Sequence, residues 1–131
     1  NIDCRVLPGT SPDTLLEELK ARIKDVPGVR LEVVAKDEAN ESPYDDDLFA
    51  ALARNAVRGR TDAIAGPVLS PGYTDSLLAR PKGTRAYGFV PFEISQEELG
   101  TMHGKDERVS VANLRRGSEV LFRSIVEVVA R

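Results

Sequence analysis

The sequence predicts an α/β fold, and three observations predict it. Short segments whose apolar residues alternate with polar ones recur along the chain. Between them lie stretches whose apolar residues repeat at helical spacing. Pro-Gly and Ser-Pro turn signals separate the two kinds of segment. Strands that alternate with helices pack as a mostly parallel sheet with helices against its faces.

The first expected strand is Asn1 to Leu7, with Ile2, Cys4 and Val6 on one face and Asn1, Asp3 and Arg5 on the other. Pro8-Gly9 ends it. Ser11-Pro12-Asp13 is a helix start: a capping hydroxyl, a proline in the first turn, and an acid near the positive end of the dipole. Leu15, Leu16, Leu19 and Ile23 follow at helical spacing, and Pro27-Gly28 breaks the chain. Val29 to Ala35 reads as a second strand. Residues 1–38 therefore predict a β-α-β unit with a right-handed crossover, too small to bury a core by itself.

Lys36 to Pro43 is polar and turn-rich and reads as a linker. From Asp45 to about Arg58, Leu48, Phe49, Leu52 and Ala56 form a helical stripe, with Gly59 as a C-terminal cap. Asp45, Asp46 and Asp47 are acids at that helix start. Ala63 to Leu69 is expected as a strand and Ser70-Pro71-Gly72 as a turn. Thr74 caps a short helix through about Arg80, and Arg85 to Val90 is a further strand. A loop runs from Pro91 to about Glu107. The last helix, from about Ala112 to Ala130, carries Leu114, Leu121, Ile125 and Val128 on one stripe. Residues 39–131 thus predict a second α/β region.

Composition excludes several functions. The 131 residues carry 41% hydrophobic and 30% charged residues, an ordinary soluble balance, and a formal charge of −3. No basic footprint argues for nucleic acid. No apolar run approaches the roughly 20 residues that span a membrane, and no signal peptide is visible. A cytoplasmic location is expected. The chain opens at Asn1 rather than Met, as an internal or processed start does. One cysteine, Cys4, and one histidine, His103, rule out an internal disulfide and a zinc site built from several cysteines or histidines of this chain.

Three places carry possible chemistry. His103 lies in Thr101-Met102-His103-Gly104-Lys105-Asp106-Glu107, on the loop before the last helix. An imidazole there can ligate zinc, with Gly104 permitting close backbone approach and Asp106 or Glu107 orienting the ring. The plain alternative is a surface histidine beside a solvated charge cluster. Gly72-Tyr73-Thr74-Asp75-Ser76 sets a glycine turn before a helix N-terminus. That suits a substrate carboxylate, or simply caps the helix. Arg5, on the face of Asn1 and Asp3, can grip a carboxylate in bidentate fashion or pair with Asp3. No glycine-rich phosphate loop and no serine nucleophile motif is present.

These segments occur in a recognisable order. They are Asn1 to Gly9 (NIDCRVLPG), Ser42-Pro43 before a helix, Gly72 to Ser76 (GYTDS), Ala86 to Pro91 (AYGFVP), and His103 to Val109 (HGKDERV). Leu114 and Gly117 of the final helix continue the series. Together they resemble the C-terminal part of metallopeptidase family twenty, which includes glutamate carboxypeptidase, carnosinase, aminoacylase, carboxypeptidase S and succinyl-diaminopimelate desuccinylase. The long gap between Tyr87-Gly88-Phe89 and His103 looks most like the carboxypeptidase S and aminoacylase branch.

The resemblance implies a zinc exopeptidase architecture. Residues 1–38 would be the second, β-α-β half of a ferredoxin-like lid that also dimerises. Residues 39–131 would complete the α/β catalytic domain. It implies His103 as the last zinc ligand and Glu107 as its supporting residue. Arg5 and Asn1 would bind the substrate's carboxylate or the reaction centre, and Gly72, Tyr73, Thr74 and Asp75 would line the pocket. The substrate would be a peptide or N-acyl amino acid, and the whole enzyme would hold two zinc ions. The family's other ligands, its glutamate base and the first half of its lid lie upstream of the position of Asn1. Glu17-Glu18 and Glu97-Glu98 do not replace them, since the first pair sits on the lid helix and the second in the late loop. The chain alone is therefore expected to lack the catalytic apparatus. The rival expectation is a non-catalytic α/β binding or oligomerisation module that keeps a peptidase-like surface.

Overall fold

A computed structural model describes residues 1–130. In order it contains α1 (Pro12–Ile23), α2 (Asp47–Ala56), α3 (Ser76–Ala79), a 3-10 turn (Arg80–Lys82), α4 (Gln96–Thr101) and α5 (Val111–Val129). No strand occurs among the described residues, so the predicted sheet and the β-α-β unit are absent. Residues 1–7, 29–35, 63–69 and 85–90, expected as strands, carry no ladder. The physical reason is that alternation fixes which side chains share a face but not which segment pairs with which. A strand exists only as one half of a hydrogen-bonded pair. Here the alternating residues keep their apolar side chains in water: Ile2 is 85% exposed, Val34 87%, Ile64 99% and Val68 90%.

The described residues form two compact units. The first comprises Asn1–Ser42 and Pro71–Ala86. Its longest element, α1, starts where the sequence signals a start. Ser11 Oγ accepts from the Asp13 N–H at 3.2 Å, Pro12 opens the first turn, and Lys20 and Arg22 face the negative end of the dipole. Lys36 Nζ donates to both carboxylate oxygens of Asp13, at 2.8 and 2.9 Å, and so pins the segment after α1 to its first turn. Hydrogen bonding to Asp13, then its charge, raises the Lys36 pKa above the ordinary lysine value.

Arg80 organises the rest of that unit. Its Nη1 donates to the Asn40 carbonyl at 2.9 Å and its Nη2 to the Ala86 carbonyl at 2.8 Å, while Nε lies 3.2 Å from Ser42 Oγ. Ser42 Oγ in turn accepts from the Ala86 N–H at 3.0 Å, and Asn40 Nδ2 donates to the Leu77 carbonyl at 3.1 Å. A side-chain network thus takes over the backbone pairing that a sheet would supply.

The second unit comprises Pro43–Ser70 and the chain from Tyr87 onward. Asp46 caps α2 by accepting from the Phe49 N–H at 2.8 Å. The core is the contact of α2 with α5, where Ala51, Leu52 and Val120 are buried with Asn55, Gly117 and Ser124. Small residues at Ala51 and Ser124 meet across the two helices, where Ser124 Oγ lies 3.4 Å from the Ala51 carbonyl. Ser124 Oγ donates to the Val120 carbonyl at 2.8 Å, and Asn55 Nδ2 lies 2.9 Å from the Ala51 carbonyl and 3.0 Å from Glu127 Oε2. Both buried polar side chains are therefore satisfied. The Phe92 ring packs against Gly117, where even a methyl group would meet it. At the start of α2, Phe49 makes tilted ring contacts with Tyr44 and Tyr87, whose centroids lie 5.9 and 5.5 Å away.

Candidate functional site

The loop that carries His103 begins with an element the sequence reading placed in a loop. Ser95 and Glu98 form a capping box around the start of α4: Ser95 Oγ accepts from the Glu98 N–H at 3.1 Å, and Glu98 Oε2 accepts from the Ser95 N–H at 2.9 Å. Glu97 and Glu98 therefore lie on a helix. The bond from the Ser95 backbone, foremost, holds the Glu98 carboxyl below the usual glutamate range. Thr101 Oγ1 donates to the Glu98 carbonyl at 2.7 Å.

The helix stops abruptly. Met102 takes an extended backbone, and His103 has φ of +62°, the one described residue other than glycine in that region. A left-handed conformation costs a side-chain-bearing residue on the order of 1 kcal/mol, and such strain collects at functional positions. Gly104 closes the turn by donating to the Thr101 carbonyl at 2.8 Å. A Cβ on Gly104 would sit 2.9 Å from that same oxygen, so only glycine fits. The close approach that glycine permits is thus to Thr101. Glu107 Oε2 accepts from the His103 backbone N–H at 3.0 Å. Its carboxylate holds the loop rather than the ring. Asp106 contributes its carbonyl to Arg108, whose other arm reaches Glu97 at 2.9 Å. The imidazole itself is exposed and makes no hydrogen bond among the described residues.

Beside this loop lies a cavity of about 340 Å³. Val90, Phe92, Ile94, Met102 and Val109 give it an apolar lining, and Glu98, Glu107 and Arg108 supply its charged groups. Its size and character match those of small-ligand sites.

The remaining predicted residues belong to the other unit. Arg5 donates from Nη2 to Asp3 Oδ2 at 2.5 Å, and Asn1 is exposed. Gly72, Tyr73, Thr74 and Asp75 are all exposed and precede α3. Asp75, not Thr74, is the capping residue, and it makes no side-chain cap bond. The helix has four residues, so its dipole adds little to anion attraction at residues 72–75. His103 and Glu107 meet through the His103 backbone N–H, whereas Gly72 to Asp75 are neighbours by sequence alone and the bond described for Arg5 is to Asp3.

Zinc needs about four donors, or three and an open position. Among the described residues no three His, Cys, Asp or Glu side chains gather in a way that could hold a metal ion. They do not complete a zinc site; His103 offers a single donor. Two features of this region were missed in the sequence. The capping box Ser95-Gln96-Glu97-Glu98 was a readable signal of α4, whereas the positive φ of His103 had none.

No protein-family model and no solved structure matches the chain. Over 128 residues, 95% of this chain, the sequence is 30% identical to the human N-fatty-acyl-amino acid synthase/hydrolase PM20D1. The chain spans about a quarter of that relative's length. Among the described residues no helix is long and apolar enough to cross a membrane.

Proposed function

We propose that this chain is part of a hydrolase of metallopeptidase family twenty that cleaves the amide bond of N-acyl amino acids or peptides. The observation that carries the reading is the similarity, along 95% of the chain, to a synthase/hydrolase of N-fatty-acyl amino acids. The loop geometry supports it. The His103 N–H is held by Glu107 and the next residue closes a turn onto Thr101, while the His103 ring makes no hydrogen bond among the described residues.

In this reading His103 supplies one zinc ligand, and the other ligands lie outside the described residues. Bound zinc would polarise the amide carbonyl and activate water. The work of this chain's own residues is binding and positioning. Glu107 holds the loop backbone at His103 and leaves the imidazole available. Arg5 receives the substrate's carboxylate, which takes the place of Asp3 on the guanidinium, one carboxylate exchanged for another. Asn1 and residues 72–75 contribute further substrate contacts, and residues 1–38 a dimer contact. The apolar cavity beside the loop favours substrates with an apolar acyl group. By itself the chain would be inactive.

The test uses the full-length protein and an N-acyl amino acid with a long saturated chain. Zinc-dependent release of the free amino acid is expected. His103→Ala should lower both zinc content and kcat/KM by at least the roughly 10–100-fold seen when outer partners of metal ligands are removed. Arg5→Ala should raise KM for carboxylate-bearing substrates and leave zinc content unchanged. Full zinc content and rate in His103→Ala would sink the assignment of that residue. Absence of hydrolysis in a zinc-loaded protein would leave a non-catalytic binding module as the better account.

A further inference from the structure

We propose that the cavity between the C-terminal end of α2 and α5 binds a small oxyanion, a phosphate monoester or a carboxylate. The cavity measures about 290 Å³ and lies in the second unit, lined by Arg58, Arg116 and Arg123 with a single acid, Glu119. The chain as a whole has a net charge of −3, so three guanidinium groups around one acid run against the average.

The arginines are in different states, and the difference is informative. Arg116 is already placed: Nη2 donates to the Ala56 carbonyl at 3.0 Å and Nη1 to Glu93, which Arg60 also reaches. It caps the C-terminal end of α2, the ordinary role of a cation there. That role accounts for one arginine. Arg123 lies 3.8 Å from Glu119, one helical turn away, a loose and exposed pair that contributes little. The Arg58 side chain makes no ion pair or hydrogen bond among the described residues. The adjoining Gly59 also lines the cavity, and its N–H has no hydrogen-bond partner among the described residues. One guanidinium without a partner among the described residues, one loosely paired with Glu119 and a fixed third line one space. Planar forks of this kind match the oxygen pairs of phosphate and carboxylate, and each can donate two parallel bonds.

The cavity involves none of the residues assigned to hydrolysis, so its ligand is a separate small molecule or an effector rather than the substrate. Arg54 marks the boundary. It sits on α2 one turn earlier, yet its guanidinium is committed to Glu127 and it does not line the cavity.

The test is calorimetric titration of the full-length protein with inorganic phosphate and, in parallel, succinate, each against sodium chloride at equal ionic strength. Saturable binding of either anion is expected, and the tighter one assigns the class. Arg58→Ala and Arg123→Ala should each weaken it about tenfold or more, the effect of losing a charge-assisted hydrogen bond. Arg54→Ala should leave it unchanged. Glu119→Gln removes the one like charge and should tighten binding severalfold, an outcome that loss of folding cannot imitate. Responses equal to those with chloride, or equal affinity in wild type, Arg58→Ala and Arg123→Ala, would overturn the proposal.

Discussion

Gly117 offers the sharpest test of the packing. A Cβ built there lies 2.5 Å from Phe92 Cε1, 2.7 Å from Cδ1 and 3.1 Å from the Pro91 carbonyl oxygen. The first contact is roughly 1 Å inside ordinary van der Waals distance. The ring cannot retreat with its backbone, because the next residue is fastened to α5 on both sides of its peptide. Glu93 N–H donates to Asn113 Oδ1 at 2.9 Å, and Asn113 Nδ2 donates to the Glu93 carbonyl at 3.0 Å. Alanine gains about 0.8–1 kcal/mol in helix propensity over glycine. Overpacking costs about 1–3 kcal/mol. Gly117→Ala should therefore destabilise the protein by up to about 2 kcal/mol. Gly100, in α4, has nothing within 4 Å of its Cβ position, so Gly100→Ala keeps only the favourable part. Urea unfolding of both variants measures the difference in midpoint. Adding Phe92→Ala to Gly117→Ala should cost less than the sum of the single changes by more than about 0.5 kcal/mol. If Gly117→Ala raises the midpoint as Gly100→Ala does, Phe92 does not rest on Gly117 and this account of the α5 contact is wrong.

Arg80→Ala should loosen the first unit by about 1.5–3 kcal/mol, the value of a hydrogen bond from a charged donor, and the amide of Ala86 should then exchange with solvent faster; unchanged exchange would dismiss Arg80 as the organiser. The folded-state pKa of Glu98 is depressed, so its support of α4 is present above the unfolded pKa and lost as pH falls through the folded one. Amide protection at residues 96–101 should fall as pH is lowered below the ordinary glutamate value of 4.5, and Glu98→Ala should remove that acid step. His103→Gly relieves a left-handed residue and should leave stability level or slightly higher, while removing the proposed function; a clear loss of stability would mean the imidazole is a structural contact.

Legibility in the sequence followed the range of the interaction. Helices were legible where the cause is local. The Ser11-Pro12-Asp13 start of α1, the Asp46 cap of α2 and the apolar stripe of α5 all depend on residues within a few positions of each other. The same kind of signal marked α4, but the flanking polar residues masked it as loop. For α3, Pro81 directly after Arg80 turns the helix into a 3-10 turn, so the expected length was wrong. Interactions across the sequence were not legible. Arg80 is 38 residues from Ser42, and nothing in either segment announces their bond. Strand pairing failed for the same reason. The alternation at Ile2, Cys4 and Val6 is real, yet no local feature names a partner for it. At the candidate site the position of His103 on an exposed loop was readable, and its backbone strain was not.

The positive φ of His103 is the feature of this loop that the sequence did not announce. The turn that Gly104 closes onto the Thr101 carbonyl has Met102 at φ −56° and ψ 131° and His103 at φ +62°, the conformation a type II turn requires at its third residue. Five hydrogen bonds order the segment around that turn: the two of the capping box that starts α4, the Thr101 hydroxyl on the Glu98 carbonyl, the Gly104 turn onto Thr101, and Glu107 on the His103 N–H. None of them uses the ring. The loop thus spends its hydrogen bonds on the backbone and leaves the one imidazole of the chain free, as a ligand or binding group must be. The Arg58 and Arg123 cavity shows the converse arrangement, in which unpaired or loosely paired side chains line a space instead of a fixed backbone presenting one. The two sites rest on separate residues, so either can fail experimentally while the other stands.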